Sequence, residues 1–197
     1  MPNSNLTRRP NRSPAPRHWL TWLTTACLPF VLGSCANVDI KQYQHEQPAL
    51  VMQEFFSGTL DGWGIFQDRS GKVIKRFHVV INASWQHNTG TLKETFTWSD
   101  NDPDNPSQRV WTLVDQGQGK LTGSAGDVIG LAQSDVSGNS LHWRYVLALP
   151  LNGKIIHVDF DDWMYLVDKD TMLNRSVMKK YGFRLGEVFL TLRRRQP

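Results

Sequence analysis

The densest group of chemically capable side chains is the run His157-Val158-Asp159-Phe160-Asp161-Asp162-Trp163. On an extended segment successive side chains alternate, so His157, Asp159, Asp161 and Trp163 share one face. Two carboxylates two residues apart, about 7 Å, could hold a hard cation or serve as an acid/base pair. The same residues could instead pair with Arg76 or Arg144, or face water at a strand end. Too few further oxygen donors are recognisable for a metal site, and the Cys/His clusters that zinc requires are absent. There is no G-x-S-x-G elbow, phosphate loop or dinucleotide fingerprint. Gly58, Gly62 and Gly64 surround a tryptophan with no helix to follow, which suits a bend or bulge at a barrel mouth. No catalytic residue, metal or cofactor is therefore expected.

Cys35 carries a different chemistry. It closes the segment Leu32-Gly33-Ser34-Cys35 behind a head that contains Arg8, Arg9, Arg12 and Arg17 and no acid. The apolar stretch 20–34 includes Pro29 and falls short of the about 20 residues that span a bilayer core. The pattern fits an export signal ending in a lipobox, in which Cys35 becomes the acylated first residue of the mature protein. Acyl chains contribute about 0.8 kcal/mol per buried methylene, so several of them amount to permanent attachment to a membrane. Ala36 stands where an aspartate would favour the inner membrane. The expected address is the periplasmic face of the outer membrane of a Gram-negative bacterium. Residues 1–34 read as the signal, 35–49 as the acylated cysteine and a tether, and 50–197 as one folded domain.

Without residues 1–34 the chain keeps 18 basic and 18 acidic side chains. The basicity of the whole sequence thus belongs to its head, which argues against nucleic acid as a partner. Cys27 lies in that head and Cys35 is acylated, so no disulfide can brace the domain, and a single core must hold it.

The elements that would position these residues are strands. Phe77, Val79 and Ile81 alternate with polar residues, as do Leu141, Trp143, Tyr145, Leu147 and Leu149, and Ile156, Val158 and Phe160 continue to Met164 and Leu166. Strands are predicted near 55–68, 73–85, 91–98, 108–115, 120–126, 128–134, 140–149, 154–166 and 183–194, with one short helix within 171–181. Glycine-containing turns are expected at Ser70-Gly71, Thr89-Gly90, Gly138-Asn139 and Asn152-Gly153. A meander with so little helix hides its edges most simply by closing. The expected fold is all-β, a single antiparallel meander closed into a barrel of about 8 to 10 strands, of the lipocalin-like kind implied by the resemblance given below. A sandwich is the alternative.

Such a barrel encloses either packed side chains or one small ligand. The aromatic set suggests the second: Trp63, Phe66, Phe77, Trp98, Trp111, Trp143, Tyr145 and Trp163, with Asp159 and Asp161, are the candidate ligand-binding residues. Plain core packing is the competing explanation for the same rings.

Several stretches resemble a known family: Gly62-Trp63-Gly64-Ile65-Phe66-Gln67-Asp68-Arg69-Ser70-Gly71, Arg109-Val110-Trp111-Thr112-Leu113, Gly123-Ser124-Ala125-Gly126-Asp127, and Asp159-Phe160-Asp161-Asp162-Trp163-Met164-Tyr165. They are similar to the bacterial lipoproteins grouped as domain of unknown function 3833, over roughly residues 50–195. The resemblance implies a lipoprotein of uncharacterised role and supplies no catalytic residues. A looser likeness is to lipocalins, where Trp63 and one of Arg193, Arg194 or Arg195 would play the paired tryptophan and arginine. Position 61 is Asp, so the Gly-x-Trp pattern is missing and that analogy rests on fold.

Three functions are consistent with these residues. The first is an anchored barrel that binds or carries a lipid or other apolar ligand, with the membrane engaged through acylated Cys35. The second is a structural or interaction lipoprotein of the envelope, its protein partner unknown. The third is an enzyme on lipid-like substrates using Asp159, Asp161 and His157, which requires those side chains to open into the cavity.

Overall fold

The computed structural model describes residues 38–151 and 153–196, so Cys35 and the segment read as a signal lie outside the described residues. Ten strands follow one another: β1 (Gly58–Asp68), β2 (Val73–Gln86), β3 (Thr89–Trp98), β4 (Gln108–Gly117), β5 (Lys120–Ser124), β6 (Ala132–Ser137), β7 (Ser140–Leu151), β8 (Lys154–Leu166), β9 (Thr171–Lys180) and β10 (Phe183–Arg194). Each pairs antiparallel with its sequence neighbours, and β1 pairs with β10, which closes the barrel. Leu60 of β1, for example, lies opposite Ile81 of β2 on one side and Arg194 of β10 on the other. Closure leaves no strand edge to template association. Asn37–Pro197 form one compact unit with its own core, the property that lets a domain fold alone.

The inward rows are those that period-two alternation predicts. Phe77, Val79, Ile81 and Ala83 of β2 are buried, as are Leu141, Trp143 and Leu147 of β7 and Val158, Phe160 and Leu166 of β8. Full burial of such side chains is worth about 1.5–3 kcal/mol each, enough to fix the register of the whole ladder.

Four expectations need correction. Residues 171–180 form β9 rather than a helix: Met172, Asn174, Ser176 and Met178 are buried in strict alternation, with polar Asn174 and Ser176 occupying two interior positions. The strand expected at 128–134 starts at Ala132 and runs to Ser137, because residues 125–131 leave the ladder and cross β7, where Ala148 N–H donates to the Asp127 carbonyl at 2.8 Å. The turn expected at Thr89-Gly90 falls at His87 and Asn88 instead. Gly90 lies within β3 and makes room for the Trp85 indole, 2.8 Å from where a Cβ would sit. Finally, residues 38–49, read as tether, lie against the barrel. Tyr43 packs on Trp163 and Tyr165, and Leu50 N–H donates to the Gly138 carbonyl at 2.8 Å.

The two ends of the barrel differ. One is plugged by a single helical turn, α1 (Met52–Phe55), whose Met52 and Phe55 are buried together with Phe56. The Trp85 indole N–H donates to the Phe56 carbonyl at 2.8 Å and pins the plug to β2. At the other end lie the β1–β2 turn, the loop 99–107, the loop 125–131 and the tight turns after β7 and β9. There the Trp98 indole N–H holds the long loop through the Pro106 carbonyl, also at 2.8 Å.

Gly62 and Gly64 do not bend the chain as their spacing suggested. Both face inward, and a Cβ on Gly64 would fall within the Phe77 ring. Replacing Gly64 by alanine should cost about 1–3 kcal/mol through forced displacement of that ring. Gly64→Ala should therefore lower the urea midpoint of unfolding, whereas Gly126→Ala, where nothing lies within 4 Å, should leave it almost unchanged.

Candidate functional site

The barrel interior is hollow. A cavity of about 740 Å³ runs from the α1 plug to the open end, lined mainly by aliphatic and aromatic side chains. Its size lies within the range of pockets that enclose small molecules, about 300–1,000 Å³. Two aromatic groups shape it. Near the mouth Phe66, Phe77, Phe96 and Trp98 form a continuous cluster with neighbouring ring centres 5.2–5.9 Å apart. Deeper, Trp111 meets Trp143 and Tyr145 edge-on at 5.7 and 5.4 Å, and Phe160 stacks on Tyr145 at 5.1 Å.

Among the residues proposed from sequence, Phe66, Phe77, Trp98, Trp111, Trp143 and Tyr145 line this cavity. Trp63, Asp159, Asp161 and Trp163 do not. Trp63 is 53 % exposed on the outer face, with its ring 5.4 Å from the His78 ring. Beside it Asp61 is held below the usual carboxylate range by hydrogen bonds from Arg195, at 2.6 and 2.7 Å, and by His78 at 3.0 Å. The lipocalin-type pairing of Trp63 with a late arginine is thus replaced by an exterior Arg195–Asp61–His78 group.

Asp161 also faces outward. It accepts from His142 at 2.6 Å and lies 3.7 Å from the Lys179 ammonium, rather than pairing with Arg76 or Arg144. Trp163 stacks on the same His142 ring at 4.1 Å. His157 and Asp159 border a shallow outer hollow with Ile155, Lys180 and Tyr181. An acid/base role for His157, Asp159 and Asp161 on a ligand in the lumen is incompatible with this geometry, because alternation along β8 turns all three to solvent.

The same alternation brings a different acid inside. Asp162 shares the face of Val158, Phe160 and Met164, lines the cavity and is only 4 % exposed. Its Oδ2 accepts from the Tyr145 hydroxyl at 3.0 Å, while Oδ1 has no hydrogen-bond partner. Burial pushes its carboxyl up to about 7, against the opposing pull of the Ser176 and Tyr145 side chains. Burial, with Asp162 next to it, also holds the Tyr145 phenol well above its ordinary value.

A second interior acid, Glu94, occupies the β3 position between Leu92 and Phe96. Burial pushes it up to about 7 as well, although Arg109 opposes the shift. The closest approach of the two is 3.6 Å, from Arg109 Nη1 to Glu94 Oε2, too long for a hydrogen bond, and that oxygen has no other partner. Arg109 instead grips Asp127 with two nitrogens, Nε at 2.9 Å and Nη2 at 2.8 Å from Oδ2. This forked pair ties the mouth loop to the wall of β4. Glu94, Arg109, Asp127 and Asp162 were all missed as site residues. The usable signal was parity: Asp162 stands inside the row Val158-Phe160-Met164, and Glu94 inside Leu92-Phe96.

No curated protein sequence matches this chain. Among solved structures it is similar to the S-type phycobiliprotein lyase of Guillardia theta, with a TM-score of 0.54 over 82 % of this chain and 99 % of that chain, at 9 % sequence identity. At such low identity the likeness concerns the fold, a lipocalin-like barrel. The model of the family described as protein of unknown function DUF3833 matches residues 29–194. With that match spanning the whole barrel, the chain belongs to the DUF3833 family.

Proposed function

We propose that this protein is a lipid-anchored carrier at the periplasmic face of the outer membrane, holding a lipid or other small apolar molecule inside its barrel. The observation that carries the reading is the hollow lumen of about 740 Å³ with its apolar lining, open at one end and plugged at the other. A barrel of this kind could have been filled by its own side chains. Gly62, Gly64 and Gly123 instead point inward, so the large rings settle against the wall and leave the axis clear. The lipobox ending at Cys35 supports the anchor and the address.

Apolar binding is tested on a chain starting at Asn37. Titration with the neutral dye N-phenyl-1-naphthylamine should raise dye fluorescence with saturation at one equivalent, and native mass spectrometry should find a lipid carried through purification. Leu149 lines the cavity near its mouth. Leu149→Trp should weaken dye binding at least about tenfold, about 1.4 kcal/mol, while leaving the circular dichroism of the barrel intact. A wild-type protein that takes up neither dye nor lipid would sink the carrier reading.

The anchor is tested separately in cells. Metabolic labelling with palmitate should mark the full-length protein and leave Cys35→Ser unmarked and released from membranes.

The interior acids predict the pH dependence of stability. Asp162 and Glu94 hold their protons to about 7 in the fold, against ordinary values of 3.8 and 4.5. Between those limits the folded state binds protons that the unfolded chain has released, so stability falls as pH rises from about 4 to about 7, by up to about 1.4 kcal/mol per pH unit for each group. Asp162 is paired with Tyr145 and Ser176 and feels the charges of Arg109 and, through the wall, outward-facing Asp161; all four remain in place in Asp162→Asn. That variant should flatten the decline and melt above wild type at pH 8.

A further inference from the structure

The charged groups of the lumen are unevenly matched. Its lining includes six acids and only two bases, Lys75 and Arg109. Both bases are already engaged. Lys75 donates to Asp102 at 2.7 Å and to Asn105 at 2.6 Å, and Arg109 is forked onto Asp127. Neither base of the cavity lining is therefore free, and a carboxylate-headed fatty acid would find no unengaged cation there.

Two acceptors, by contrast, are left over. Asp162 Oδ1 and Glu94 Oε2 are buried without a hydrogen-bond partner; the third such atom among the described residues, Arg194 Nε, lies outside the cavity lining. A buried polar atom without a partner in the protein costs about 1–3 kcal/mol, so its persistence needs a reason. The reason is not a shortage of polar neighbours for packing: Tyr145 satisfies the other oxygen of Asp162 at 3.0 Å. Both acids lie within electrostatic reach of the Tyr145 phenol, and the surrounding wall is aromatic. Aromatic faces also attract cations, as Arg109 over Phe96 at 5.6 Å and Lys75 over Trp98 at 5.9 Å already illustrate.

We propose that the molecule carried in the lumen is an apolar chain or ring system bearing a hydrogen-bond-donating, positively charged amine head, received by the carboxyl groups of Asp162 and Glu94, both of which line the cavity. This inference rests on the carrier reading and specifies its ligand. The amine supplies donors to the two orphan oxygens and the charge that an ionised carboxylate requires in a low-dielectric cavity. An alcohol head supplies donors without charge and should rank second. An anionic head supplies neither and should rank last.

The experiment displaces N-phenyl-1-naphthylamine from the Asn37 chain at pH 7 with dodecylamine, dodecanol and dodecanoate, each below its micelle concentration. Dodecylamine should bind at least about tenfold more tightly than dodecanoate, a factor worth about 1.4 kcal/mol. Asp162→Asn and Glu94→Gln should each bring the amine down towards the alcohol and leave dodecanol almost unchanged. Asp159→Asn, on the outer face, should alter none of the three. If all three ligands displace the dye and dodecanoate equals or beats the amine, the assignment of the head is overturned while the carrier reading stands. A double variant that keeps the amine preference also overturns it. If neither dye nor any of the chains binds, both readings fall together.

Discussion

The pairing of β1 with β10 is the constraint on which everything else depends. Once Leu60 is tied to Ile81 on one side and Arg194 on the other, the sheet has no edge and no freedom to slip. A shift of one residue would turn every inward side chain out, a cost that falls on all ten strands together. Closure therefore does more than hide hydrogen-bonding groups. It assigns each side chain to lumen or solvent, and so decides which of two neighbouring acids, Asp161 and Asp162, touches water and which touches the cavity.

A closed sheet can still be solid, and the choice of residues at the wall makes this one hollow. Phe77 has space because Gly64 gives up its side chain, and Trp143 has space because Gly123 does the same. Rings that would otherwise meet across the axis lie back against the strands. The two ends are then finished by the polar corners of two indoles. Trp85 fixes the α1 plug and Trp98 fixes the long mouth loop, each through a backbone carbonyl at 2.8 Å. Both tryptophans bury an apolar body while spending their single donor on a structural bond.

Much of the fold was legible in the sequence, because period-two alternation of apolar residues is a direct imprint of a half-buried strand. The rows on β2, β7 and β8 could be read position by position. β9 could not, since Asn174 and Ser176 interrupt its apolar face; the row becomes visible only when polar residues are allowed inside. The same bias hid the site. Asp159 and Asp161 drew attention as an acidic pair, yet pairing by type at spacing two selects a face without saying which face it is. The neighbouring Val158 and Phe160 already answered that question, and they placed Asp162 inside. Trp63 misled for a similar reason: an aromatic ring suggests a cavity wall, but its neighbours Gly62 and Gly64 are the residues that face inward. Arg109 and Asp127, eighteen positions apart, could not be joined without the path of the loop 125–131.

The interior acids connect architecture to occupancy. Burial makes a bare carboxylate costly at both positions, so Asp162 and Glu94 keep their protons well above the usual carboxylate range. Isosteric apolar side chains at both positions would pack without that penalty and would stabilise the barrel. Their retention makes sense where a bound molecule supplies the missing partners. In that state the two acids ionise against the ligand's charge, and protonation and occupancy become alternative ways of satisfying the same oxygens. A lumen built this way is least comfortable when it is empty and its acids are charged, a condition that favours loading over vacancy.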